Sequence, residues 1–431
     1  MHIAVGRAWL LVSVLSIGAV ACGSRSKNIA DSLGVDASPA DSAAGTSVAT
    51  SSTTSTTGVD TAIADSDAAP TDAAIDSAPS SPDAAAARDP MQQPFATTSI
   101  WNMPIGSSAQ YVPADIAPAT GTTFETDWDV IVLTPTAPST DIYTNTADWN
   151  NTLSRCPVQG ALIWSAPIPP SFVVPDPVAQ TPNSGLAVLL ADGRTIKQTQ
   201  PFARCTASQP GTSHYTFPDN DLYGDGITGA HGGSGLSAIG GTLRLGELRP
   251  NGPPPQHVLK LELYAHADYY NDGVSADCYR WPAVGCDGYF NDSTSSLIYG
   301  GTNPHVRPGS LLALPTSVSV SSLGLTTAPA QALAWTLQNY GAYLVDDTAW
   351  SATAICTEQG PNGNFTEQFE SDWGYAMDTN GTTGAFAADM AQIVAALNVV
   401  DNNSATSVGG GGTPLQPLAP AIAPPSGASG D

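Results

Sequence analysis

Apolar residues in the middle of this chain come in short runs, parted by clusters of Gly, Pro, Asn and Asp. The runs are Val130–Leu133, Ala161–Trp164, Leu186–Leu190, Thr242–Leu248, Val258–Tyr264, Leu311–Leu314 and Ala342–Val345. Short apolar runs bounded by turn formers read as strands, and their recurrence predicts a mainly β domain. We expect an antiparallel β-sandwich, jelly-roll-like, with about two short helices. In Leu190-Ala-Asp-Gly-Arg194 the Asp192-Gly193 pair predicts a tight hairpin turn. Pro329 at a first helical position opens a helix over Ala330–Tyr340, and Gly341 closes it. A second helix is predicted over Ala385–Val399, where Phe386, Met390, Ile393, Val394 and Leu397 recur at helical spacing. No repeat of solenoid or propeller period interrupts this pattern.

The two ends read differently. Arg7 precedes an almost uncharged run from Ala8 to Val20, too short to span a bilayer and suited to an export signal over residues 1–21. The run ends in Ala19-Val20-Ala21-Cys22-Gly23. This resembles the lipobox of bacterial lipoproteins, and the resemblance implies that Cys22 is lipidated and becomes the new N-terminus. Because Gly23 is not Asp, it further implies an outer-membrane or cell-surface address, with lipid as the only membrane contact. Residues 23–90 hold no Phe, Trp or Tyr, and 53 of those 68 are Ala, Ser, Thr, Asp or Pro. Such a stretch buries too little apolar surface to offset its conformational entropy, so residues 22–90 are expected to form a disordered tether. Residues 401–431, rich in Gly and Pro, are expected to be a disordered tail. A single β-rich domain is then assigned to residues 91–400.

Charge narrows the function. Over 431 residues, 13 Lys and Arg face 38 Asp and Glu, a formal net charge of −25. Phosphate binding needs clustered cations, so nucleic acid is excluded as a partner and a polyanionic substrate would meet repulsion. An exported chain permits disulfides. Cys278 with Cys286, and Cys156 with Cys205, are the expected pairs, leaving Cys356 odd and buried. The chain has no Cys-x-x-Cys, which disfavours zinc.

Two stretches could carry chemistry. The first, Asp219 to Ser237, mixes Gly with Asp, His231 and Ser234. Asp219, Asp221 and Asp225 could bind a structural calcium, the one cofactor considered, although Tyr223 and Ala230 break the EF-hand pattern. Ser234 lacks the final Gly of a serine-hydrolase elbow. His231 is a candidate catalytic imidazole, or else a histidine satisfied by backbone carbonyls in a glycine-rich connection.

The second is the strand Gln256–His266. Its alternation puts His257, Leu259, Leu261 and Leu263 on a core face, and Lys260, Glu262, Tyr264 and His266 on the other. That second face suits a sugar-binding groove or simply solvent. Tyr269, Tyr270, Arg280 and Trp281 downstream offer aromatic faces and a cation to a glycan. Glycoside hydrolysis needs one protonated and one ionised carboxyl, and Glu262, Glu247, Asp225 and Asp346 are the candidates. Of the neighbours Asp346 and Asp347, alternation lets only one enter a given site. A uronate lyase would instead use Tyr264 or His266 as base, with Lys260 or Arg280 neutralising the substrate.

Thr98-Ser-Ile-Trp-Asn102, Gly229-Ala-His-Gly-Gly-Ser-Gly-Leu-Ser237, Tyr279-Arg-Trp-Pro282 and Gln338-Asn-Tyr-Gly-Ala-Tyr343 are similar to phrases of secreted bacterial and fungal proteins. That resemblance implies one contiguous exported domain and brings no activity with it. The expectation is a surface-anchored, carbohydrate-active protein whose partner is a polysaccharide, first a glycoside hydrolase of a neutral glycan. The alternatives are a non-catalytic glycan-binding or adhesion lipoprotein and a polysaccharide lyase.

Overall fold

The computed structural model describes residues 88–424, apart from 121–123, 151, 176–181, 275–276 and 380–383. The expected signal, Cys22 and nearly all of the tether lie outside the described residues. The first strands are Tyr111–Pro113 (β1), Glu125–Val132 (β2), Ser139–Thr144 (β3), Leu162–Pro167 (β4), Gly185–Leu189 (β5) and Thr195–Gln200 (β6). Short strands follow at Gly211–Ser213 (β7), Tyr215–Thr216 (β8), Asn220–Asp221 (β9) and Thr228–His231 (β10). Then come Leu259–Leu263 (β11), Leu311–Ala313 (β12), Ala342–Asp347 (β13), Thr353–Gly360 (β14), Gly363–Asn364 (β15) and Asn398–Val400 (β16). The α-helices are Ala265–Asp268 (α1), Ala328–Asn339 (α2), Phe365–Trp373 (α3) and Ala385–Ala396 (α4).

Twelve strands form one sheet, whose main path runs β1-β16-β12-β13-β11-β14-β2-β5-β6-β8, and β4-β3-β7 form a second. The fold is mainly β, as expected, but its orientation is mixed rather than antiparallel. β11 runs parallel to β13, and β2 runs parallel to both β14 and β5. Parallel neighbours need long crossovers. The β11–β13 connection contains α2, and the β2–β5 connection contains the β3–β4 hairpin. Fully buried strands such as β5 and β11 have covered neighbours on both faces, so a continuous apolar run does not reveal strand direction.

Each face of the large sheet is covered. Leu259, Leu261 and Leu263 of β11 pack with Leu333, Leu337, Phe386 and Ile393 of α2 and α4. On the opposite face Ile131, Tyr343 and Val345 meet Trp101, Ala230, Leu236 and Ile239, so the glycine-rich segment is the lid of that face. Val130 and Val132 turn instead towards Ile142 and Ala166 of the second sheet and Phe202 just after β6.

Several local expectations hold. Pro329 lies in the first turn of α2, Gly341 follows it with φ of 78°, and Gly193 takes φ of 67° in the β5–β6 turn. Both expected disulfides, Cys156–Cys205 and Cys278–Cys286, are present, and Cys356 is buried. Others need correction. Thr242–Leu248 is not a strand; it makes one bridge, Leu243 to Thr357, because its backbone turns at Gly246 (φ 95°). Residues 401–424 do not form a loose tail. Asn402 caps the amide of Gln110, Gly106 N–H donates to Gly409 O, and Leu415 N–H donates to Ile105 O. α3 went unread, although Asn364, Glu367 and Gly374 (φ 77°) mark its two ends.

Candidate functional site: a buried carboxylate cluster

Strand alternation builds the floor of the site. Along β2, Glu125, Asp127 and Asp129 share the lid-facing side with Ile131, while β11, on the far side of β14, adds Lys260 and Glu262. Cys356 of β14 pairs in register with Asp127. Asp346 arrives by an irregularity: Leu261 pairs with Leu344 but Glu262 with Asp346, so Val345 is an extra residue on β13. Such a bulge re-aims a side chain, and it brings Asp346 beside Glu262.

The lid lowers His231 onto this floor. Gly232 has φ of 48°, and a Cβ there would lie 1.8 Å from Asp346 Oδ2. A Cβ on Gly240 would lie 2.3 Å from Trp101 Nε1. The glycines are therefore what allows the backbone to lie directly on the carboxylates.

His231 Nε2 sits 2.9 Å from Cys356 Sγ and 3.6 Å from both Asp129 Oδ1 and Glu262 Oε1. Lys260 Nζ is 2.7 Å from Asp129 Oδ2 and also donates to Ser237 O. Glu262 and Asp127 share a side-chain hydrogen bond. Asn183 Nδ2 donates both to Asp127 Oδ2, at 3.1 Å, and to Asp346 Oδ2, at 2.6 Å. The amides of Gly233 and Asp347 donate to Asp346 Oδ1.

Burial decides the protonation. It drives the His231 pKa well below its ordinary value, aided by the Lys260 charge, so the imidazole is neutral. Burial pushes Asp129 up to about 6 despite Lys260, leaving it ionised at neutral pH. Cys356 is raised well above the usual thiol range by burial and by Glu262, which makes it an inert thiol. Glu262 and Asp346 are both pushed well up, by burial first and then by neighbouring carboxylates. Asp346 accepts three N–H donors and Asp127 accepts from Asn183 Nδ2 and from the Trp128 and Asn183 amides. Burial raises Asp127 too, and Asp346 stays high despite its three donors. Within the Asp127–Glu262 hydrogen bond it is Asp127 that has donors favouring an anion, so the proton these two share belongs to Glu262.

Beyond Asp346 lies a rim. Asp347 Oδ2 accepts from Tyr289 OH, and Asp287 Oδ2 accepts from Tyr299 OH at 2.6 Å. Burial and the Asp347 charge raise Asp287 to about 7. Asn183, Gly233, Asp287 and Tyr289 are partly exposed and Trp350 is open to solvent, so this is the less covered side of the cluster.

Of the residues expected from sequence, Glu262, His231 and Asp346 meet here. Asp225 does not: it is exposed, and its carboxylate accepts from the Ile227 amide. Glu247 binds His257, at 3.0 Å, on another part of the domain. Tyr264 and His266 leave the strand, because β11 ends at Leu263 and α1 begins; His266 Nδ1–H donates to Ile298 O. Tyr269 is buried, with its hydroxyl on Asp346 O, and so supports the bulge rather than facing a ligand. Tyr270 stacks under Arg307, Arg280 is held by Asp401, and Trp281 packs on the core below the lid. Asp219 pairs with Lys197 and Asp221 with Arg194, so the calcium trio is divided among separate partners. Ser234 is buried with its Oγ donating to His231 O, and is no nucleophile. Asp127, Asp129, Asn183 and Trp350 were missed. The signal for the first two was Glu125-Thr-Asp-Trp-Asp129, acidic at every second position just before an apolar run.

The donor atoms of Asp129, His231 and Cys356 lie within 4.8 Å of one another, as do those of Asp127, His231 and Glu262. The first triple, with its thiol, suits a soft divalent ion and the second, with two carboxylates, a harder one, a compact cluster that sequence spacing concealed. In this structure the Lys260 ammonium supplies the positive charge beside Asp129, and His231 Nδ1 has no partner among the described residues of the kind that orients a metal-bound imidazole. Two grooves lie elsewhere, one of about 440 Å³ beside Phe172 and Asn362, and one of about 420 Å³ beside Asp268 and His305. No protein-family model, curated protein or solved structure matches this chain.

Proposed function

We propose that this protein is a glycoside hydrolase of a neutral polysaccharide, exported and held at the cell surface through lipid on Cys22. The observation that carries the reading is the buried trio of Asp127, Glu262 and Asp346, in which Glu262 holds the proton it shares with Asp127 and Asp346 lies beside it under three N–H donors. Acid–base hydrolysis needs that division of labour. Glu262 donates its proton to the glycosidic oxygen. Asp346 takes the opposing role, as base towards water or as nucleophile, and Asp127 shares the Glu262 proton. Asn183 fixes the two carboxylates relative to each other.

A uronate lyase fits less well. The cations it would use are already paired, Lys260 with Asp129 and Arg280 with Asp401, and a uronate would enter between carboxylates. The reading needs only the mixed sheet and its lid, and makes no use of a jelly-roll groove. The test is release of reducing ends from a panel of neutral and uronate polysaccharides, with ultraviolet absorbance followed for unsaturated products. Reducing ends without absorbance are expected. Absorbance would mean a lyase, and binding with no cleavage would mean a glycan-binding lipoprotein.

A further inference from the structure

We infer that Trp350 is the platform on which a neutral sugar ring stacks beside the carboxylates, with Glu125 setting its angle; this rests on the reading that the site takes a glycan. Trp350 is 48% exposed, and no other tryptophan among the described residues is as open. Its indole is nonetheless fixed: Nε1–H donates to Glu125 Oε2 at 2.9 Å, and Glu125 is itself buried. An indole left open has a large apolar face and a polar edge, and here the edge is satisfied and the face is bare.

The backbone that presents it is strained. Ala349 has φ of 61°, a left-handed conformation that an alanine, with its Cβ, adopts only under constraint. The turn is held there by Asp347 Oδ1, which accepts from the Ala349 amide at 2.8 Å, and by Thr348 Oγ1, which donates to Trp350 O at 2.7 Å. Strain kept by several hydrogen bonds merely to expose a tryptophan points to a ligand.

Position links this platform to the site. Glu125 and Asp127 lie two residues apart on the same face of β2, about 7 Å, a span comparable to one pyranose ring. The loop carrying Trp350 follows directly on Asp346 and Asp347. The carboxylates that flank the platform, Glu125 beneath the indole and Asp347 at the base of its loop, would repel a uronate, so a neutral ring is what suits it.

Binding of soluble mixed-linkage glucan, xyloglucan, xylan and galactomannan to the full chain tests this, using Glu262→Gln so that no substrate is consumed. Trp350→Ala should weaken binding of the preferred glycan roughly tenfold, and Trp350→Phe should recover part of it. In the enzyme with Glu262 intact, Trp350→Ala should raise KM with little change in kcat. If Trp350→Ala binds as tightly as its parent while turnover still depends on Glu262, the platform is wrong and the hydrolase stands. If Trp350→Ala weakens binding but nothing is ever cleaved, the platform stands and the hydrolase falls. If none of the four glycans binds, the platform is overturned. Unchanged circular dichroism and partial recovery by Trp350→Phe separate a lost stack from a damaged loop.

Discussion

Lys260 has essentially no exposed surface, and its ammonium is 2.7 Å from a carboxylate equally buried. Removing one member of such a pair leaves an uncompensated charge in the interior, whereas removing both does not. Lys260→Met should therefore destabilise the fold by about 3–5 kcal/mol in urea unfolding, and Lys260→Met with Asp129→Asn by clearly less. Equal losses in the two variants would show that the pair is not what stabilises the floor. At this scale the sequence was half legible. Alternation in Val258–Leu263 put Lys260 and Glu262 on one face, and that is where they are. What alternation cannot report is that the face is roofed, so a strand that reads as half-solvated is buried on both sides. The same blindness hid Asp127 and Asp129, which look like an ordinary wet edge until the lid is in place.

Glycines and one bulge set the geometry at the level of elements. The lid can rest on Asp346 only because Gly232 has no side chain, and Asp346 faces Glu262 only because Val345 is unpaired. Gly232→Ala combines a left-handed backbone with a clash against a carboxylate, and should cost roughly 2–4 kcal/mol. Gly193→Ala is the matched control: the same backbone sign at φ 67°, with nothing within 4 Å of the added carbon, so roughly 1 kcal/mol. Chemical denaturation of the two variants measures the difference, and equal costs would mean the lid is not pressed on the site. Helices α2 and α4 and the β5–β6 hairpin were readable because caps, proline and turn glycines act locally. Parallel pairing and the bulge were not, since both depend on which distant strands meet.

For the molecule as a whole, buried acid governs the response to pH. Burial raises Asp287 to about 7, and Asp129 and Asp268 to about 6, above the range expected for unfolded carboxyls near 4. The folded state then binds more protons than the unfolded chain between those values. Its extra stability is complete below about 4 and is lost as pH rises through 6 and 7. His231, held neutral by burial, acts oppositely up to about pH 6.5, but it is one group against several raised carboxyls, Glu262 and Asp346 among them. Asp389 and Asp401, whose pKa values are lowered by hydrogen bonds to Thr327 and His305, act oppositely only at lower pH. With 38 acidic residues repelling one another as well, the melting temperature should fall between about pH 5 and pH 8 by at least about 3 °C. A flat or rising profile would contradict this. Two disulfides fit an oxidising compartment. Among the described residues no helix is long and apolar enough to cross a membrane.

Glu262 as the proton donor of a glycan-cleaving site is tested by setting the intact protein beside Glu262→Gln on the polysaccharide panel, reading reducing ends and glycan binding together. Loss of turnover by about 10²–10⁴-fold with binding retained is the predicted result. Cleavage that survives the substitution, or binding with no cleavage by the intact protein, would contradict it.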